Sequence, residues 1–496
     1  MDIGQSRRTH TGAILGLLLC TLAGCATHRT NLSVATPPGE VAHPNVILIL
    51  ADDMGYGDLS IQGNTLVSTP HIDSIAERGI RFTDGYVTAP VCSPSRAGLL
   101  SGRYPQRFGH EFNPGGRPRP SNPVYERLGL PTNQVLLPQL MKDLGYSTGL
   151  VGKWHLGYAP QFLPQSRGFD EYFGFLTGAR NYIRPEGAGD AEEELVGEDT
   201  PPARAGGGLG SPIFRGTEPV VEDEYLTDAF GREAVDFIQR HREKPFFLYV
   251  AFNAVHAPLQ ATQPYLDRVA NIEDRRKRTY AAMTIALDDA VGRILKTLDE
   301  TQLSNRTLVI FLSDNGGVYR PDQPIFADNG PLRAGKLFVH EGGTRVPFLM
   351  QWPGHIDAGT VYRHPVSAMD VLPTVLGIAG GTPPPDRPMD GVNLLPYVTR
   401  QKRGTPHAFL AWRLGENRAL RKGDWKFLQY GNNAPKLFNL ADDIGEAKDL
   451  SRERPKKLKK LMQLYAQWES EMIAPVYRIR EAIPLAYEGE QINLDF

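Results

Sequence analysis

Five short apolar runs punctuate the chain, each bounded by polar or turn-forming residues. They are "NVILIL" from residue 45, "STGLVG" from 147, "PFFLYVAF" from 245, "TLVIFL" from 307 and "VPFLMQW" from 346. Runs this short and continuous are the pattern of strands buried on both faces. Between them apolar positions recur at helical spacing, most plainly over residues 225–241 and 280–300. Strands alternating with helices predict an α/β fold, a large, mostly parallel (mixed) sheet sandwiched by helices.

The pattern changes past residue 401. "ALRKGDWKFLQY" and "KLFNLADD" read as paired antiparallel strands, followed by a Lys-rich helix over 455–472 whose lysines form a solvated face. The expected organisation is a domain over 44–401 and a smaller C-terminal α+β domain with a short antiparallel sheet over 402–496. Residues 183–222 are rich in Gly, Pro and Glu and read as a long surface insertion at the rim of the site.

The N-terminal segment is set apart from this pattern. Arg7 and Arg8 precede an apolar stretch, Ile14 to Leu22, that is too short to span a bilayer. It ends in Leu22-Ala23-Gly24-Cys25, which resembles the bacterial lipobox. The resemblance implies a lipoprotein signal over 1–25, a lipid on Cys25 and a polar linker over 26–43. The protein is then expected to be exported and membrane-anchored at the periplasm, outer membrane or cell surface. An ordinary cleaved signal peptide is the plainer alternative.

Composition narrows the partners. The 496 residues are 41% apolar and carry a formal net charge of −2, so nothing points to nucleic acid. There are three cysteines, and with Cys20 removed and Cys25 acylated, Cys92 has no disulfide partner in the mature chain.

The chemistry gathers where the apolar runs end. The first ends in Asp52-Asp53, the second in Lys153-Trp154-His155, the third in Asn253-Ala254-Val255-His256 and the fourth in Asp314-Asn315. Singly, each is an ordinary turn or cap. If the strands are parallel, all four ends face one crevice, which is where open α/β sheets bind ligands. Asp52, Asp53, Asp314 and Asn315 supply hard oxygen donors without sulfur or imidazole, a set suited to calcium or magnesium rather than zinc. Lys153, His155, His256 and Lys336 offset their charge and face an anionic substrate.

The stretch "CSPSRAGLLSGR" from Cys92 makes the reading specific. It resembles the signature of the formylglycine-dependent sulfatases, and "LADDMGYGD", "GKWHLG", "NAVHAPLQ", "LSDNGG" and "EGGTRVP" follow in that family's order. The motif set is most similar to arylsulfatases of the N-acetylgalactosamine-sulfatase type. The resemblance implies that Cys92 is converted by a maturation enzyme to formylglycine, whose hydrated form attacks sulfur and then releases sulfate by hemiacetal collapse. It further implies one calcium ion held by Asp52, Asp53, Asp314, Asn315 and residue 92. Arg96 would fix the diol, Lys153 and Lys336 would bind sulfate oxygens, and His155 would orient or deprotonate the diol. The proton for the leaving alcohol would come from His256 or Lys336, between which the sequence does not choose.

His110, Arg180 and Asn181 are further candidates for substrate contact. Leu337 and Phe338 replace the small residues expected after the family's lysine, and His340 is assigned no role. The implied function is hydrolysis of sulfate esters of a sulfated carbohydrate. The alternatives are a phosphonate monoester hydrolase or phosphodiesterase of the same superfamily, and a non-catalytic glycan-binding lipoprotein should Cys92 stay unmodified.

Overall fold

The computed structural model describes residues 43–115, 125–183, 211–321, 323, 325–478 and 481–495. The expected signal segment, Cys25 and the linker lie outside the described residues, as does 184–210, most of the expected surface insertion.

Asn45–Ala51 lies at the heart of a ten-stranded sheet, between Thr307–Ser313 and Phe246–Ala251. Every residue of these three strands is buried, which is why they read as unbroken apolar runs. Ser147–Lys153 and then Glu171–Phe175 continue outward from Phe246–Ala251, and all five strands are parallel. Phe348–Gln351 lies beyond Thr307–Ser313 and runs antiparallel to it. The loop through 314–345 stays at the carboxyl end of Thr307–Ser313, so the strand that follows must return from that end.

Short strands finish the sheet: Ile80–Phe82 and Thr360–Tyr362 at one edge, Ile213–Arg215 and Glu218–Val220 at the other. The last pair corrects the expectation for 183–222: its final residues are edge strands of the main sheet, not a surface excursion. Leu226–His241 and Arg275–Glu300 pack on one face, burying the same core as the strands. The second begins five residues before the apolar pattern suggests, because Asp274 caps it by accepting from Lys277 N at 2.8 Å.

Leu410–Leu414, Asn417–Lys422, Trp425–Gln429 and Lys436–Asn439 form the C-terminal antiparallel sheet. Pro455–Glu469 covers it with Leu461, Tyr465 and Trp468 and leaves its lysines in solvent. This sheet shares one hydrophobic cluster with Tyr86, Phe338, Val339 and Met369 of the preceding part of the chain. The two sheets are therefore joined through a common core rather than a flexible linker.

Candidate active site

The parallel strands deliver their polar ends to one place. Backbone bonds lock the ends together: Asp52 N to Ala254 O and Val255 N to Asp52 O, both 2.9 Å, and Asp314 N to Ala51 O, 3.0 Å. Cys92 opens the helix Cys92–Ser101, which points its first turn at these ends. Its Sγ lies 3.6 Å from Asp52 Oδ1 and 3.8 Å from Asp53 Oδ1, and accepts from Lys336 Nζ at 3.3 Å. The side chain is 1% exposed. Burial pushes the thiol pKa up to about 12, against the pull of Lys153 and Lys336.

One helical turn on, Arg96 falls on the same face as Cys92. Its Nε donates to Asp314 Oδ2 at 2.8 Å and its Nη1 to the Lys153 carbonyl at 3.1 Å. Lys153 Nζ sits 2.6 Å from Asp52 Oδ2, and Lys336 Nζ 2.7 Å from Asp53 Oδ2. His256 Nε2 lies 3.5 Å from the same Asp53 oxygen, while its Nδ1 is tied to Ala257 O at 2.5 Å.

The charges interlock. Burial alone would raise the Asp52 pKa, but Lys153, then His256, Arg96 and Lys336, hold it far below the usual carboxylate range. Asp314 is pushed up to about 7 by burial and by the neighbouring Asp52 charge, which Arg96 only partly offsets. Burial lowers the pKa of both His155 and His256, in His256 against the pull of the Asp53 carboxylate.

Backbone geometry marks the same spot. Asp53, His155 and Leu337 adopt left-handed φ of 59°, 59° and 75° without being glycine. Such conformations cost about 1–3 kcal/mol each and persist only where their surroundings over-determine them. Close approach explains the "DNGG" and "EGG" motifs: a Cβ on Gly316 would lie 1.7 Å from the Gly342 carbonyl. With Gly316 N on Gly343 O and Lys336 N on Gly317 O, the loop bearing Lys336 is pinned to the strand end bearing Asp314.

His110 does not face the crevice. It is 0% exposed, and both ring nitrogens are engaged inside the protein. Ser93 Oγ donates to the His155 carbonyl at 2.6 Å, so it must accept from His110 Nε2 at 2.7 Å. His110 Nδ1 then accepts from Tyr477 OH at 3.0 Å. This relay fixes the backbone of His155 from the C-terminal part of the chain. The expected substrate contact of His110 is replaced by an internal, positioning one, because burial leaves the ring no route to a ligand. Burial also lowers its pKa to about 3, in keeping with the neutral tautomer that the relay requires.

Phe338 turns away into the shared cluster beside Tyr430 and Tyr487, and His340 donates or accepts at Tyr430 OH, 2.8 Å away. Leu337, half-buried, packs near Val91 and Phe112. Arg180 and Asn181 sit on the segment that passes between His155 and the His256 carbonyl.

The donor set fits a hard divalent cation. Asp52, Asp53 and Asp314 converge, and the Asn315 side-chain oxygen is buried without a hydrogen-bond partner. One ligand atom each from Asp52, Asp53, Cys92 and His256 lie within 4.8 Å of one another. Oxygen donors dominate, as calcium and magnesium prefer. Sequence reasoning placed Asn253 at a strand end without a role; its two amide side-chain atoms are buried and unpartnered. It missed Ser93 and Tyr182, which no sequence motif singles out.

Comparison with known proteins agrees with this architecture. The family model described as sulfatase matches residues 44–381, and one described as N-sulphoglucosamine sulphohydrolase, C-terminal, matches 334–471. Human N-acetylgalactosamine-6-sulfatase is 39% identical over 72% of this chain and 66% of its own length, just under two thirds of that protein. Rat steryl-sulfatase is 34% identical over 79% of this chain and 76% of its own. Among solved structures, Ps i-CgsB in complex with k-i-k-neocarrahexaose superposes with a TM-score of 0.78 at 36% identity, covering 88% of this chain and 94% of that one.

Proposed function

We propose, from the premise that this chain belongs to the sulfatase family of sulfuric ester hydrolases, that it removes sulfate from a sulfated saccharide. The observation that carries the reading is the seat of Cys92, held among three carboxylates and three cations at the ends of parallel strands. The saccharide named in the Ps i-CgsB complex and the amino sugar named in the human relative support a carbohydrate substrate.

In this reading residue 92 works as formylglycine, made by a separate maturation enzyme, and supplies an oxygen nucleophile to sulfur. Asp52, Asp53, Asp314 and Asn315, with residue 92, would hold one calcium ion, which would add positive charge against the sulfate. The remaining work belongs to the chain's own side chains. Arg96, fixed by Asp314 and the Lys153 carbonyl, orients residue 92. Lys153 and Lys336 take the sulfate oxygens and neutralise charge that grows there during reaction. His256, anchored through Nδ1, offers Nε2 to move a proton to the departing alcohol oxygen. His155, its Nδ1 buried without a partner, takes the proton whose loss lets residue 92 release sulfate.

We place the protein outside the cytoplasm, anchored through a lipid on Cys25. Two measurements test the proposal. Mass spectrometry of the residue-92 peptide from active protein is expected to show an aldehyde in place of the thiol, and an unmodified thiol in active material refutes it. Turnover of 4-nitrophenyl sulfate is expected to exceed that of the matching phosphate esters and to fall on chelation of calcium. Acyl chains on Cys25 of the mature protein test the anchor.

A further inference from the structure

We propose that Arg180 pairs with a second anionic group of the substrate, separate from the sulfate that is cleaved, so that preferred substrates carry at least two negative charges. This rests on the sulfatase reading above and adds to it the charge pattern of the substrate.

The segment around Arg180 is held between the His155 ring and the backbone carbonyl of His256. At one end His155 N donates to the Leu176 carbonyl at 3.2 Å, and Gly178 lies flat against the His155 ring. A Cβ on Gly178 would come within 2.7 Å of His155 Nε2, so this close pass depends on glycine. At the other end Tyr182 N donates to Gln260 Oε1 at 2.8 Å, and the Tyr182 hydroxyl lies 2.8 Å from the His256 carbonyl. Arg180 stands two residues from each anchor. The backbone on either side therefore holds it beside the crevice.

Arg180 itself is a half-buried cation. Among the described residues no carboxylate pairs with it, and its Nε is buried with no hydrogen-bond partner. Burial lowers its pKa to about 10, and no neighbouring charge opposes the shift. Other buried arginines behave differently. Arg96 is met by Asp314, Arg107 by Asp390 and Arg413 by Glu111. Arg167, which has no carboxylate either, is satisfied by the carbonyls of Leu130 at 2.7 Å and Gln134 at 2.9 Å.

The Nε end of this half-buried guanidinium is sealed from water without a partner, and such a group is retained where something else completes it. Its planar fork suits a sulfate or a carboxylate in a bidentate pair. Orphaned neutral groups nearby fit the hydroxyls of the same sugar: Asn181 Oδ1 and both amide side-chain atoms of Asn253. The crevice thus holds one cationic set around Cys92 for the reacting sulfate and one further cation for a second anion.

The test is competition against 4-nitrophenyl sulfate turnover by matured, calcium-loaded, full-length enzyme. The competitors are N-acetylgalactosamine 6-sulfate, the 4,6-disulfate of the same sugar, and a 6-sulfated disaccharide bearing a uronate carboxylate. In the wild type at least one doubly charged competitor is expected to bind about 10- to 100-fold tighter than the monosulfate, the range of a charge-assisted contact. Which of the two wins identifies the second anion as sulfate or carboxylate. In Arg180→Gln that advantage is expected to collapse to less than about 3-fold, and Arg180→Lys, which keeps charge but loses the fork, to fall between. Equal binding of all three competitors in the wild type, or an advantage that survives Arg180→Gln, overturns the proposal. Should Arg180→Gln fail to fold, the wild-type and Arg180→Lys comparison decides it on the same terms. A wild type that does not turn over 4-nitrophenyl sulfate at all refutes the sulfatase reading instead, which keeps the two failures apart.

Discussion

Two buried charge clusters among the described residues differ in how completely they are satisfied. Around Cys92, Asp52, Asp53 and Asp314 face Arg96, Lys153 and Lys336. At the junction of the two sheets, Asp84, Glu341 and Glu446 face Arg345, Arg421 and Lys426. Each cluster thus sets three carboxyl groups against three cations. The junction cluster is nearly closed: Lys426 bridges Glu341 at 2.8 Å and Glu446 at 3.0 Å, Glu341 N donates to Glu446 Oε2 at 2.7 Å, and Tyr86 OH donates to Glu341. One oxygen, Oε1 of Glu446, lacks an aligned hydrogen bond although Lys426 stands beside it. The crevice is open by contrast. Asn315 Oδ1, His155 Nδ1, Arg96 Nη2 and both Asn253 amide atoms have no partner, and Asp53, His155 and Leu337 hold left-handed backbone, against Glu446 alone on both counts in the junction cluster. Buried charge alone, then, does not identify a site. A concentration of unmet polar atoms and strained residues does, since native cores seldom tolerate either.

The comparison can be broken in four ways. Cys92→Ala is expected to lower kcat/KM for 4-nitrophenyl sulfate by about 10⁴-fold or more while leaving the melting temperature nearly unchanged. A large loss of stability instead would make the crevice a structural cluster like the other. Lys426→Met should do the reverse, costing about 3–5 kcal/mol in urea unfolding by stranding two buried carboxylates, with kcat of the folded fraction held within a few-fold. His110→Phe tests the relay that runs from Tyr477 to the His155 backbone. It keeps ring volume but removes both hydrogen bonds, and is expected to lower kcat by about 10-fold through His155, with KM changed less.

The smallest effect concerns pH. Glu446 is raised from its ordinary 4.5 to about 7 by burial and by the adjacent Glu341 charge, against the pull of Lys426. The folded state therefore binds this proton more tightly than the unfolded chain. Its contribution to stability is complete below pH 4.5 and lost as pH rises through about 7. Glu446→Gln is expected to flatten that part of the melting-temperature profile without altering the pH dependence of turnover. A shift in the turnover profile would tie the junction to the chemistry.

Much of the fold is legible along the chain because strands such as Asn45–Ala51 and Thr307–Ser313 are buried on both faces and must be apolar throughout. Strands of three residues near the sheet's ends, such as Ile80–Phe82 and Ile213–Arg215, carry too little pattern to be read, since pairing with an existing sheet makes them strands. Leu410–Leu414 escapes the reading for a different reason. It is recognisable only beside the hairpin it completes, "RALRKGDWKFLQ". Within the site, residues just past strand ends are legible because topology alone brings them together. Ser93, His110 and Tyr477 are not, because their roles follow from proton donors and acceptors assigned across 367 residues of sequence separation. Arg180 differs again: its residue type suggests an anion, but only the fold reveals that its Nε has no partner among the described residues.

The burial of Cys92 also has a consequence for biogenesis. A thiol sealed beneath Lys336 at the base of the crevice offers no purchase to another enzyme's active centre. If a separate catalyst oxidises it, that encounter must take place on a nascent or exported chain before the long-range pairing of Asn45–Ala51 with Thr307–Ser313 closes the sheet. Slow closure would then favour complete conversion, and variants that collapse too early would accumulate as well-folded, stable and inert protein.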